Sequence, residues 1–306
     1  MQWTRMSILF GIVLLILAFF TVQETKETTE YSGEIPESEI INGGPGKDGI
    51  PSIDAPTFVS AEEATFVSAE DFGIGLNIDG DIRFYPFQIL VWHEIVNDRV
   101  GDKAVAVTYC PLCRTGVTYE RIVRGEEVEF GVSGKLWKSN LLMYNRGDEE
   151  SLWSQVLGRA VVGPHTGEVL TLVSSDTVRF GDWKRKHPST KVLSQNTGAV
   201  RAYGTDPYGD YYTNEEVSFG ATFNDARLHP KAYVIGVEVD GAFKAYEADA
   251  LPVGITNDTF NDVEITIEKS DIGEVRMFAD DIPLPYIGGF WFSWLAVHPT
   301  TELWEK

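Results

Sequence analysis

A hairpin signature occurs twice in this chain. Gly75-x-x-Ile78-Asp79-Gly80-x-x-Arg83-x-Tyr85 is answered by Gly236-x-x-Val239-Asp240-Gly241-x-x-Lys244-x-Tyr246. Each copy joins two alternating runs through Asp-Gly, the dipeptide that best supplies a tight two-residue turn. An Asn-Asp pair follows in each, Asn97-Asp98 and Asn257-Asp258, and then a β-like run at 105–107 or 265–267. Trp183-x-x-x-His187-Pro188-Ser189-Thr190 likewise recurs as Trp294-x-x-x-His298-Pro299-Thr300-Thr301. Two copies are too few for a solenoid, so the repeat predicts a pair of related, packed β lobes or one fused β structure. The expected class is α+β and β-rich, from an internal duplication. The first lobe spans 49–200, with a long insertion between roughly 110 and 180. The linker and second lobe span 201–306.

Local patterns fill in the first lobe. Apolar spacing of three to four over 86–96 predicts a short helix, 97–101 a turn, and 104–109 a buried strand. Ser60-Ala61-Glu62-Glu63 and Ser68-Ala69-Glu70-Asp71 are expected as helix starts or capped turns. The stretch from Tyr203 to Tyr212 is rich in Gly, Asp and Tyr and reads as a loop between the lobes.

The N-terminus bears on location. Arg5 precedes an apolar run from Ile8 to Phe20, extended by Thr21 and Val22, and the acidic Gln23-Glu24-Thr25-Lys26-Glu27 follows without a small-x-small cleavage site. Residues 1–22 are expected to be an uncleaved signal anchor in preference to a cleaved signal peptide. This membrane helix leaves the remainder on the extracytoplasmic side. Residues 23–48, polar and rich in Glu, Thr, Gly and Pro, are expected to be a flexible tether. A formal charge of -21 repels phosphates, so nucleic acid is excluded as a partner of the folded part. A protein or glycan partner stays open.

The chain has only two cysteines, in Tyr109-Cys110-Pro111-Leu112-Cys113, and His93-Glu94 lies a short way upstream. Cys-x-x-Cys admits three readings. It brings two sulfurs close enough for a reducible disulfide, as thiol redox centres require. It also offers two thiolates to copper or zinc, with His93 as third ligand and Glu94, His165 or Met143 as candidates for a fourth. Or it forms a structural disulfide in a binding or surface-assembly module. A thioredoxin-like helix start does not fit, because Gly116, Val117 and Thr118 follow. Glu94 is the candidate acid/base beside the sulfurs. His-Glu-x-x-His is absent, since position 97 is Asn.

The repeat acts as an internal control. His93 and Glu94 correspond to Val253 and Gly254, and Cys110 and Cys113 to Ser270 and Gly273. Residues that only build a lobe should occur in both, so Cys110, Cys113, His93 and Glu94 point to a site. His187 and His298, present in both, are expected to be structural. Ser133 and Ser139 are weak nucleophile candidates, without a Gly-x-Ser-x-Gly elbow. Trp137, Trp153 and Tyr144 are expected in the core or in a groove wall.

These stretches together carry a resemblance. Pro86-x-x-Ile89-Leu90-x-x-His93-Glu94-Ile95-Val96-Asn97-Asp98, Val107-Thr108-Tyr109-Cys110-Pro111-Leu112-Cys113, Phe130-Gly131-Val132-Ser133-Gly134 and Ser151-Leu152-Trp153-Ser154-Gln155 resemble the family called domain of unknown function 3179. The segment from Trp183 to Ser194 is similar to that family's end. The likeness covers about residues 48 to 215. It implies an exported or membrane-anchored protein and transfers no catalytic residue.

Overall fold

A computed structural model describes residues 34–305, so the expected membrane helix lies outside the described residues. Among the described residues no helix is long and apolar enough to cross a membrane. Strand β6 (Lys103–Cys110) is the centre of the first lobe. After its first residue it reads Ala-Val-Ala-Val-Thr-Tyr-Cys, with no polar alternation, because both of its faces are covered. It pairs antiparallel with β5 (Ile95–Val100) and β7 (Thr115–Glu120), and β14 (Leu172–Val173) completes the sheet.

Val105, Val107 and Tyr109 face one core; Ala106 and Cys110 face another. The first core is shared with the sheet of β3 (Phe72–Ile78), β4 (Asp81–Pro86), β15 (Asp176–Arg179), β16 (Lys191–Leu193) and β2 (Phe58–Ser60). The second is shared with a sheet of β1 (Ile40–Asn42), β10 (Phe130–Trp137), β11 (Asn140–Asn145), β12 (Leu152–Ser154) and β13 (Arg159–Val162). A ribbon of β8 (Ile122–Val123) and β9 (Glu126–Glu127) leads into it. Helix α1 (Phe87–Leu90) follows β4, and α2 (Phe180–Lys186) closes the outer face of β3 and β4 through Phe180 and Trp183.

The second lobe repeats the first two layers. Its sheets are β23 (Ile287–Phe290), β17 (Tyr233–Val239), β18 (Ala242–Glu247) and β24 (Glu302–Leu303), then β19 (Gly254–Phe260), β20 (Val263–Lys269), β21 (Val275–Ala279) and β22 (Ile282–Pro283). Helix α3 (Trp291–Val297) takes the place of α2. Ile74 pairs with Tyr85 as Ile235 pairs with Tyr246, and β16 runs parallel to β4 as β24 runs parallel to β18. Trp183 donates to Thr190 at 3.0 Å and Trp294 to Thr301 at 2.9 Å. Tyr85 donates to Asp98 at 2.7 Å and Tyr246 to Asp258 at 2.9 Å. His187 and His298 end α2 and α3 and pack on Trp183 and Trp294, a structural use of both. Among the described residues no sheet covers β19 and β20 on their outer side, and Ile255 is exposed.

The lobes interlock reciprocally. The β6–β7 loop reaches β23, where the Phe290 N–H donates to the Cys113 carbonyl at 2.8 Å. The β20–β21 loop reaches back to β15 and α2: Val275 N–H donates to Asp176 at 2.9 Å, and His187 meets Glu274 at 2.9 Å.

Three sequence expectations are corrected. The helix over 86–96 stops at Leu90, and 95–100 is a strand, not a turn, because Ile95 and Val96 fill the two cores on either face. The tether does not extend to 48. Ile35 is 1% exposed and Ile40–Asn42 pair with β10, so these residues are built into the insertion sheet. Finally, Cys110 pairs with Thr115 across a four-residue loop, while Ser270 N–H meets the Glu274 carbonyl across three. That register sets Gly273 against Arg114, the last residue of each loop and left-handed in both, and not against Cys113.

Candidate functional site

Cys110 and Cys113 sit at the tip of the β6–β7 hairpin, 1% and 0% exposed, and both are free thiols. The structural-disulfide expectation therefore has no bond here. The tip of the β10–β11 hairpin lies over them. Its two turn residues, Lys138 and Ser139, are both left-handed without glycine, which aims the Ser139 carbonyl inward. That carbonyl accepts from Cys110 at 3.6 Å and Cys113 at 3.7 Å.

Cys113 is the better-served sulfur. Asn140 Nδ2 donates to it at 3.1 Å and to Gln155 Oε1 at 2.8 Å, while Asn140 Oδ1 accepts the Val156 N–H at 3.0 Å. The backbone donor thus fixes which end of the amide faces the sulfur. Gln155 is locked in turn, donating to Thr108 Oγ1 and the Thr115 carbonyl at 3.0 and 3.1 Å. The Thr115 hydroxyl lies 3.3 Å from Cys113 and 2.8 Å from Gln155 Oε1, so its single proton turns toward a thiolate or away from a thiol. Burial alone would raise the Cys113 pKa, but hydrogen bonds from Cys110, Thr115, Asn140 and Ser293 outweigh it and bring it to about 7. Burial, followed by the neighbouring Cys113, pushes the Cys110 thiol well above its ordinary value.

Glu94 is placed beside the pair by its backbone. Its N–H donates to Leu90, and its carbonyl accepts from Tyr109, next to Cys110. Its side chain, 7% exposed, makes no hydrogen bond or ion pair among the described residues. Burial, then the charge of Cys113, raises its pKa to about 8.

His93 is not part of this group. Its Nδ1 donates to the Pro51 carbonyl at 2.7 Å and its Nε2 lies 2.6 Å from the Tyr203 hydroxyl. Both nitrogens are engaged, one by the segment before β2 and the other by Tyr203 of the interlobe loop. Among the described residues no three His, Cys, Asp or Glu side chains are grouped to hold a metal ion. His165 packs on Trp153, and Met143 lies in the core. Ser133 donates to the Leu142 carbonyl and Ser139 to the Ser218 carbonyl, so neither is paired with a base. Trp137 and Trp153 are core residues, as expected.

A match to the family model described as "Protein of unknown function (DUF3179)" runs over residues 47–283. The chain belongs to this DUF3179 family. The match extends beyond the 48–215 expected from the motifs, through β17 to β22 of the second lobe, and ends before β23, α3 and β24. No curated protein and no solved structure matches the chain.

Sequence reasoning missed Asn140, Thr115, Gln155 and Ser293. Gln155 stood in a quoted motif, and Thr115 two residues past Cys113. Nothing local marks Asn140 or Ser293, which tertiary contact alone brings to the sulfur.

Proposed function

We propose that this DUF3179 protein carries a dithiol–disulfide redox centre, with Cys113 as the reactive thiolate, Cys110 as resolving thiol and Glu94 as proton acceptor. The observation that supports it is the donor set around one buried sulfur, fixed in orientation from Val156 through Asn140. A metal at Cys110, Cys113 and His93 has less support, because His93 is engaged elsewhere.

The reaction balances with a low-molecular-weight disulfide as oxidant. The Cys113 thiolate attacks one sulfur of the disulfide, forming a mixed disulfide and releasing one thiolate. Glu94, protonated beside the Cys113 thiolate, gives its proton to that released thiolate. Cys110 then gives its proton to the ionised Glu94 and attacks the Cys113 sulfur, releasing the second thiolate and leaving Cys110–Cys113 oxidised. Two electrons pass to the oxidant. Tyr208 and Tyr211 pack against this core, and the Tyr211 hydroxyl donates to the Leu112 carbonyl at 2.9 Å. Access to the sulfurs therefore requires this segment to shift.

The setting belongs to the same proposal. The run from Ile8 to Phe20, with Arg5 before it and acidic residues after, supports a membrane anchor with the lobes outside the cytoplasm, where disulfides persist. The shared strand order and the paired Trp–Thr and Tyr–Asp bonds support descent of both lobes from one ancestral lobe.

Thiolate ultraviolet absorbance tests the redox centre. One thiolate should appear with a midpoint of about 7. Asn140→Ala should raise that midpoint by roughly one pH unit, as loss of one hydrogen bond to a charged sulfur implies. A chain whose thiols both titrate only in the alkaline range, and which no small disulfide oxidises, would exclude this function. Stoichiometric metal lost on Cys110→Ser would replace it with the metal site.

A further inference from the structure

The interlocking of the lobes leaves a cavity of about 650 Å³ between them, lined from β7, β15, the β20–β21 loop and β23. That volume is typical of sites for small organic molecules. Its wall holds aromatic faces, including Phe72, Tyr212 and Tyr233, together with four cations and four carboxylates.

The carboxylates and one arginine of the wall are mostly spoken for. Asp176 pairs with Arg276, Asp182 and Asp271 with Arg185, and Arg179 with Glu70. The remaining cations are not matched by acids. Lys231 gives two of its three protons to the Tyr211 carbonyl and Asn214 Oδ1, and Lys269 gives two to the Ala248 and Leu251 carbonyls. Each keeps one proton to donate.

Arg114 stands out further. Among the described residues its side chain makes no hydrogen bond or ion pair. Its guanidinium lies over the rings of Phe72 and Tyr212, 5.0 and 5.6 Å from their centroids. Stacking holds the flat face and leaves the in-plane N–H fork unused, the arrangement that suits two oxygens of one anion. Asp249 is the one lining carboxylate without an ion pair among the described residues, so three unpaired cations face one unpaired acid, a local reversal of sign in a chain of formal charge -21.

We propose that this cavity binds a small organic anion with an aromatic or apolar body, its carboxylate or phosphate oxygens paired with Arg114. The site is separate from the sulfurs, and the proposal holds whatever the dithiol does.

Calorimetric titration of the full-length chain with phenyl phosphate tests it, with benzoate, inorganic phosphate and phenol as comparison probes. Saturable one-to-one binding is expected for phenyl phosphate or benzoate, tighter than for inorganic phosphate, and none for phenol. The stronger of the two aryl anions assigns the anion as phosphate or carboxylate. Arg114→Gln should weaken binding by about tenfold or more, the loss expected of a charge-assisted pair, while Arg99→Gln should leave it unchanged. Hydrogen exchange on the wild-type chain, which needs no variant, should show ligand protection at 112–117 and 269–275. Failure of both aryl anions to bind at millimolar concentration overturns the proposal. So does full affinity in a folded Arg114→Gln chain, or protection confined to other segments.

Discussion

A side chain at a left-handed backbone position costs about 1–2 kcal/mol where glycine would cost little. Glu94 takes such a position, with φ at 59°, directly before β5, and the equivalent residue of the second lobe is Gly254 at 110°. The first lobe thus carries a strained, buried carboxyl where its own fold is satisfied by glycine, and strain of this kind collects at functional sites. The carboxyl has a consequence for stability. Its pKa rises from 4.5 to about 8 on folding, so the folded chain holds a proton that the unfolded chain has released. Stability is then full below pH 4.5 and falls as pH rises toward 8, by up to roughly 1.4 kcal/mol per pH unit. Cys113, lowered from 9.0 to about 7, acts with the opposite sign, its contribution being lost as pH falls through 7. Between pH 5 and 7 the histidines His298 and His93, both lowered on folding by burial, act with the sign opposite to Glu94. Denaturant unfolding of wild type and Glu94→Gln over that range therefore reads Glu94 from the difference. The variant's slope of stability against pH should be more positive, and an unchanged slope would show that Glu94 ionises normally in the folded chain.

At the level of elements, close approach explains why several strands carry glycine. A Cβ on Gly75 would lie 2.6 Å from Trp183 and one on Gly236 2.5 Å from Trp294. Each glycine lets the tryptophan of its lobe's helix lie flat on the sheet. Gly289 does the same for the site: its Cβ would meet Thr115 Cγ2 at 2.5 Å. β23 can donate from Phe290 to the Cys113 carbonyl only because that Cβ is missing. Gly289→Ala should cost roughly 1–3 kcal/mol through overpacking, read from the denaturation midpoint. It should also raise the Cys113 thiolate midpoint, by drawing Ser293 away from the sulfur. A stability loss with an unmoved midpoint would mean that α3 does not contribute to the thiolate.

Across the whole molecule the lobes are held by the exchange of loops. Glu274, at the foot of the β20–β21 loop, is nearly buried and faces Lys186 and His187 of α2. Burial would raise its pKa, yet the hydrogen bonds from Lys186 and His187 hold it below the ordinary carboxylate range. Its contribution is present above pH 4.5 and is lost as pH falls through the lowered value. Glu274→Gln should cost roughly 1–3 kcal/mol at neutral pH and remove part of the acid sensitivity, measured by thermal unfolding at neutral and acid pH. Unfolding should remain one transition, because each lobe supplies a wall of the other. Two separated transitions in the variant would show that Glu274 is the main clamp.

The sequence by itself determined the two hairpins, their Asp-Gly turns and the paired Trp and His-Pro segments, since turn chemistry and strand alternation are local. Comparison of the two repeats also singled out Cys110, Cys113, His93 and Glu94 as site candidates, by separating what builds a lobe from what is added to one. Tertiary structure decided the company those residues keep. His93 is sequence neighbour to Glu94 but turns toward Pro51 and Tyr203, because adjacent residues on a tight turn point apart. Asn140 and Ser293 reach Cys113 from a distant hairpin and from the other lobe. Arg114 became the unpaired cation of a cavity only when the second lobe closed over it. Those placements depend on how sheets stack and which loop crosses to which lobe, and no short-range pattern encodes that.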